Sequence, residues 1–410
     1  MTTFLLVIIY LAFISLGLPD SLIGVAWPVM QSDFGAPLET AGFLFMTVSS
    51  GTIISSLVSG KVLKRFGTGK VTFVSVLMTA GALLGFHFAP SVVWLIVCAI
   101  PLGLGAGAVD AGLNDYVAAN YKAHHMSWLH CFWGVGATLG PILMAQFISG
   151  QNSWRNGYFA ISGIQFTLII ILFLTLPLWN RVTKNSNVPL NEEHENSSDE
   201  FNKDKSEEVK PLQIKGVKLA LASFLFYCGV ESTVGLWGSS FLVNVKELPV
   251  ALAAQWVSFY YAGITIGRFI TGFITFKISN LTLIRMGQIL ALVGAVLLFL
   301  PLPASFSLVG FIMIGFGLAP IFPCMLQETP ARFGKQHSQT IMGYQMAVAY
   351  TGSTFMPPLL GFIASRSTIG IFPICIVLFV TAMLLSSEKL NSLLKQKDLL
   401  KKKHTSSTAI

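Results

Sequence analysis

Twelve apolar runs, each close to the roughly 20 residues that a helix needs to cross a bilayer, follow one another along the chain with short polar gaps between them. They fall at about 4–30, 40–60, 71–88, 92–119, 128–147 and 157–178, and again at about 217–243, 250–276, 283–300, 307–327, 340–364 and 369–385. The pattern predicts an all-α integral membrane protein with 12 transmembrane helices. The first run has no basic segment before it and no small-residue cleavage site after it, so it reads as a retained helix and not a signal peptide. Between the two sets of six, the character changes. The stretch NEEHENSSDEFNKDKSEEVK is polar and charge-mixed, too poor in apolar surface to offset the entropy of ordering. The expected organisation is a six-helix bundle at 1–179, a linker at 180–215, a second six-helix bundle at 216–388 and a polar tail at 389–410.

Polar and small positions inside the runs recur in order. Asp20-Ser21-Leu22-Ile23-Gly24 returns as Glu231-Ser232-Thr233-Val234-Gly235, 211 residues on. Gly60 and Gly272 stand 212 apart, as do Gly103-Leu104-Gly105 and Gly315-Phe316-Gly317, while Gly136 and Pro141 match Gly352 and Pro357 at 216. Several matches at a nearly constant offset indicate a duplicated unit. Six helices per copy give both copies the same orientation, related by a pseudo-twofold axis along the membrane normal, with the binding site expected in the cleft between them.

Composition agrees with this reading. The chain is 53% hydrophobic and 11% charged, with a mean hydropathy of +0.70, well outside the range of soluble domains. The net charge of +8 would suit a nucleic-acid partner, but its placement argues otherwise. Taking the polar gaps alternately, 22 of the 26 Lys and Arg residues lie on the side of the N-terminus. By the positive-inside rule that side, both termini and the linker are cytoplasmic, and the excess charge reports topology in a cell (plasma or inner) membrane. Cys98, Cys131, Cys228, Cys324 and Cys375 each stand singly in apolar runs. With no CxxC pair, metal-ligand cluster or Ser/His/Asp set, no metal, cofactor or enzyme activity is expected.

The segment GKVLKRFGTGK at 60–70 is similar to the signature that the major facilitator superfamily carries between its second and third helices, with Lys64 where the signature has an acid. GLGAGAVDAGLNDYVAANY in helix 4, WLHCFWGVGATLGP in helix 5, FYCGVESTVGLWG in helix 7 and GFGLAPIFP in helix 10 resemble the fucose, galactose and glucose proton symporters of that superfamily. The resemblance covers almost the whole chain. It implies the major facilitator fold, alternating access, a proton-coupling role for Asp110 and a sugar-contacting amide at Asn114.

A charged side chain at the bilayer centre costs roughly 2.5 to 3.5 kcal/mol on the insertion scale, so acids within the spans need a wet cavity or a partner. Asp20, Asp110, Asp115, Glu231 and Glu328 are so placed. Reversible protonation of a buried carboxylate near neutrality is what proton coupling requires. Gly105, Gly107 and Gly112 are expected to leave room beside Asp110 for water or a ligand; a structural acid bonded to a neighbouring helix is the alternative. Asp20, Asn114, Glu231 and Gln345 are expected to line the cavity and exchange hydrogen bonds with substrate hydroxyls. Trp237 is the candidate to stack on a sugar ring, unless it only packs, and His130 is either a proton relay or a structural histidine. Asp115 and Glu328, nearer the cytoplasmic ends, are expected to form latches, Asp115 with Arg65 or Lys70 and Glu328 with Arg268 or Lys277. A lone Arg268 low in helix 8 supplies little cationic charge, which argues against an anionic substrate.

The expected function is a monomeric proton symporter for a neutral polyhydroxylated small molecule such as a monosaccharide. Two rivals stay open. A drug and proton antiporter of the same fold would suit GVGATLGPIL in helix 5, which partly matches GxxxGPxxGG but has Met144 and Ala145 at the paired-glycine positions. A non-transporting sensor would need a signalling domain, and the linker is short and polar.

Overall fold

A computed structural model describes residues 2–121, 123–149, 153–185, 211–275 and 277–407. Its helices are α1 (Thr2–Asp20), α2 (Leu22–Phe34), α3 (Thr40–Phe66), α4 (Thr68–His87), α5 (Val92–Asn120), α6 (Ala123–Ile148) and α7 (Trp154–Asn185) in the first bundle. The second holds α8 (Val217–Asn244), α9 (Val250–Ile274), α10 (Asn280–Phe299), α11 (Ala304–Leu318), α12 (Ile321–Phe333), α13 (Lys335–Ser365) and α14 (Phe372–Ser407), with short 3₁₀ turns at Pro211–Gln213 and Ile369–Ile371. Among the described residues these make 12 spans long and apolar enough to cross a membrane, α1 with α2 forming the first and α11 with α12 the tenth. Most of the expected linker, 186–210, lies outside the described residues. The helix α14 runs well past 388, the expected end of the second bundle.

Local chemistry accounts for the breaks. Pro19, which cannot donate a backbone bond, precedes the interruption at Ser21 that places Asp20 at the last turn of α1. Its counterpart Glu231 stands midway along an unbroken α8. The segment GKVLKRFGTGK, expected as the short basic gap between the runs at 40–60 and 71–88, is mostly helical. Helix continues through Gly60 to Phe66, and Gly67 alone, at φ 80°, turns the chain into α4. Good helix formers fill the segment, and only the glycine adopts the positive φ that breaks it.

The duplication is visible atom by atom. A Cβ added at Gly103 would strike the carbonyl of Val48, and one at Gly315 the carbonyl of Tyr260. Both members of each pair are displaced by 212. Gly105 against Ser75 and Gly317 against Gly287 repeat the pattern, and Gly136 against Ile14 is matched by Gly352 against Leu225. The glycines thus let helix backbones touch, which is how membrane helices gain packing without a hydrophobic driving force.

Contact between the bundles is uneven along the membrane normal. On the side away from the termini, Gly24 of α2 lies against the backbone of Gly235 and Leu236 in α8, and Gly42 of α3 against Pro358 of α13. Nearer the middle, Gly134 of α6 meets Thr265 of α9. The terminal-side segments α1 and α12 pack within their own bundles instead. The cleft is therefore closed on the far side and open toward the termini.

Because the touching glycines oppose backbone, Gly103→Ala and Gly315→Ala should each destabilise the protein by about 1–3 kcal/mol, as overpacking does. At Gly60 and Gly272 an added Cβ meets nothing within 4 Å, so alanine there should be neutral or stabilising by up to about 1 kcal/mol. Thermal unfolding of the four purified variants in one detergent checks the contrast.

Candidate functional site

The acids Asp20 and Glu231 reach the cleft from opposite bundles, and each is held differently. Trp133 of α6, half-buried, donates its indole Nε1–H to Asp20 Oδ2 at 2.6 Å. Arg268 of α9 donates from Nη2 to Glu231 Oε1 at 3.0 Å and to the Tyr227 hydroxyl at 3.2 Å. The two arrangements meet face to face, since the Arg268 guanidinium lies over the Trp133 ring, 5.6 Å from its centroid. The chain of contacts Asp20, Trp133, Arg268, Glu231, Tyr227 thus crosses from the first bundle to the second. A cation over an indole contributes roughly 0.5–2 kcal/mol depending on its desolvation.

Asp110, on α5, is partly buried and accepts a hydrogen bond from Asn114 Nδ2 at 2.9 Å, one helical turn on. The same amide nitrogen also meets the Asp110 carbonyl at 2.9 Å. Among the described residues no Lys or Arg pairs with Asp110 or Asp20, whereas Glu231 has Arg268. Asp110 and Glu231 both lie within electrostatic range of Asp20, as does Tyr261, and Tyr350 of α13 lies within electrostatic range of Asp110. Among the described residues, three carboxylates therefore share this region with one guanidinium, Trp133 and Tyr350, while Tyr227 and Tyr261 are buried. Such a surface suits a small solute that offers hydrogen bonds and a ring face.

The chain matches the Major Facilitator Superfamily over residues 9–357. It belongs to that superfamily. Membership makes it a membrane transporter of small molecules and not an enzyme. Among relatives, the glucose/mannose transporter GlcP of Bacillus subtilis is 24% identical, over 90% of this chain and 92% of its own length. Of solved structures, the inward-open xylose transporter XylE from E. coli superposes with a TM-score of 0.73 at 13% identity, covering 95% of this chain and 96% of that one. A bacterial homolog of the human lysosomal transporter Spinster, inward-facing and occupied, gives 0.71 at 13%, covering 96% and 97%.

Within this superfamily member, several residues stand elsewhere than their sequence positions suggested. Arg268 holds Glu231 and not Glu328, because its long side chain reaches inward along α9. Glu328 instead accepts from Asn280 Nδ2 at 3.0 Å and lies 4.0 Å from Arg332 on its own helix, and Lys277 is exposed. Asp115 makes no ion pair with Arg65 or Lys70; all three are exposed, and the Arg65 guanidinium rests over Phe66. Trp237 is wholly buried and donates its Nε1–H to the Pro357 carbonyl at 2.7 Å, which ties α8 to α13 and leaves no face for a sugar. Gln345 is likewise buried, accepting from Thr329 at 3.1 Å. Gly105 and Gly107 are filled by the backbones of Ser75 and Thr52, and Gly112 by Leu63, so these glycines seat neighbouring segments, while Asp110 itself keeps partial exposure. His130 is solvent-reachable on the open side, edge-on to Phe13 and within electrostatic range of Arg268.

Sequence reasoning passed over Trp133, Tyr227, Tyr261 and Tyr350. The spacing held a usable signal: Tyr227 and Glu231 are four apart, and Tyr261 and Arg268 seven apart, so each pair shares a helix face.

The two tryptophans should separate in experiment. Trp237→Phe removes a buried hydrogen bond and packing and should lower stability by about 1–3 kcal/mol with transport affinity unchanged. Trp133→Phe keeps a ring under Arg268 but releases Asp20, and should impair transport at least about tenfold, the worth of a hydrogen bond to a charged group, with little loss of stability. Melting temperatures and initial uptake rates of the two variants, measured together, check this.

Proposed function

We propose that the protein is a proton-coupled symporter of a neutral polyhydroxylated solute, a monosaccharide, working by alternating access, with the termini cytoplasmic. The observation that carries the reading is the unmatched pair of carboxylates. Asp20, exposed, and Asp110, half-buried, have neutral hydrogen-bond donors and, among the described residues, no cation, so a proton is the species that can cancel their charge when water is withdrawn. Occluding a neutral acid costs much less than occluding a charged one. Proton uptake therefore favours the closed intermediate, and that is the physical content of coupling. Asp110 is the proton carrier in this reading, with Asn114 adjusting its orientation. Asp20, Glu231 and Arg268 with Trp133 form the wall that meets the solute.

Several features support a neutral solute. The site's one guanidinium is already paired with Glu231, so an anionic solute would meet an excess of negative charge. The relative GlcP is a glucose/mannose transporter and the fold neighbour XylE a xylose transporter. A cationic drug is the other solute that this charge balance would admit, and the test distinguishes the two.

Reconstituted protein in proteoliposomes with an imposed proton gradient, offered a panel of hexoses and pentoses beside cationic dyes, should accumulate a sugar and acidify the lumen. Asp110→Asn should abolish gradient-driven accumulation, by about a hundredfold or more given the 10²–10⁴ range typical of essential proton-transfer groups, while sugar counterflow persists. Dye extrusion with no response to any sugar would refute the proposal.

A further inference from the structure

The Glu231–Arg268 pair is incomplete as an ion pair. One nitrogen, Nη2, makes both of the contacts to Glu231 Oε1 and the Tyr227 hydroxyl. Among the described residues Nε and Nη1 have no hydrogen-bond partner, and neither does Glu231 Oε2. Yet guanidinium and carboxylate ordinarily meet through two parallel bonds. Both side chains keep partial exposure, 18% and 19%, and the Arg268 guanidinium lies over the Trp133 ring, 5.6 Å from its centroid. The Glu231 backbone is pinned as well, its carbonyl accepting from the Tyr260 hydroxyl at 3.1 Å. The pair therefore presents two nitrogens, Nε and Nη1, with three unused N–H donors between them, beside one unused carboxylate oxygen.

We propose that this half-made ion pair is the charge filter of the binding site: it takes two neighbouring hydroxyls of a neutral polyol, and Glu231 keeps out the acidic counterpart of the same sugar. A hydroxyl both donates and accepts, so a vicinal diol can accept from Arg268 and donate to Glu231 Oε2. A carboxylate on the solute has no proton for Oε2 and faces Glu231, Asp20 and Asp110 together. Remove the charge of Glu231, and Arg268 becomes a free fork of the geometry that binds carboxylates bidentately. The same pocket should then prefer an acidic sugar. The inference rests on the sugar-carrier reading above for its natural ligand, but the filter itself can be read without it.

The test uses the full chain, purified in detergent, with the matched probes glucose and glucuronate, and galactose and galacturonate, titrated calorimetrically. The wild type should bind the neutral member more tightly. In Glu231→Gln the ratio should move toward the uronate by at least about tenfold, which is ~1.4 kcal/mol, and the double variant Glu231→Gln/Arg268→Gln should lose that gain. An unmoved ratio in the single variant, or a gain that survives loss of Arg268, would overturn the filter. Should Glu231→Gln fail to fold, Arg268→Gln alone decides: affinity for the neutral sugar should fall about tenfold, as when a site loses hydrogen-bonding partners for a hydroxyl, and an unchanged value overturns the proposal. Should the wild type bind no sugar of either kind, the sugar-carrier reading fails and benzoate replaces the sugars. Thermal stabilisation by benzoate of Glu231→Gln but not of wild type upholds the filter, and equal responses sink it.

Discussion

Taking a carboxylate out of water demands a matching cation, a donor or a proton, and the arrangement of the cleft follows from how three acids meet that demand. Glu231 is matched by Arg268, Asp20 by the indole N–H of Trp133, and Asp110 by the amide of Asn114. The first solution is electrostatic and leaves the pair neutral. The other two are hydrogen bonds from neutral groups, which leave a full negative charge in place. Where the cleft is open, water supplies the remaining solvation. Where it closes, nothing among the described residues does.

Duplication supplied the two acids, and divergence gave them separate work. Backbone contacts at Gly103 and Gly315, and at Gly136 and Gly352, still repeat with the same partners, because a glycine that seats a helix tolerates almost no change of side chain. The polar positions had more freedom. In the first bundle Pro19 and Ser21 interrupt the helix, so Asp20 stands at a helix end with an indole for a partner. In the second, α8 runs unbroken through Glu231, and an arginine from α9 completes the pair. The cation over the indole then joins what the duplication had placed on opposite walls.

Spans, duplication and cleft were legible in the chain because each rests on a quantity that sequence carries directly: length of apolar run, spacing of glycines, even number of helices. The site was legible only in part. Asp20, Asp110, Asn114 and Glu231 stood out as polar residues in apolar runs, and the structure pairs Asn114 with Asp110 and brings Asp110 and Glu231 within electrostatic range of Asp20. Arg268, by contrast, was placed by its position along α9, and position along a helix says little about where a long, flexible side chain ends. Trp237 and Gln345 failed for the opposite reason. Their positions lie at a suitable depth, but depth does not say which side of a helix faces the cleft, and burial against Pro357 and Thr329 was invisible without the neighbouring helices. The run of basic residues at 60–70 misled in a third way, since charge marks a membrane boundary but does not end a helix.

On the symport reading, the uneven treatment of the three acids becomes a division of labour. The Glu231–Arg268 pair carries no net charge, so it can remain intact through both openings of the cleft and serve as a fixed part of the binding wall. Asp110 and Asp20 cannot, because closing the terminal side would strip water from two uncompensated charges within range of each other. A proton on either removes both its own desolvation cost and its repulsion with the other. The acid that lacks a cation is thus the one whose protonation state can set which way the cleft opens, and the acid that has one is free to read the solute.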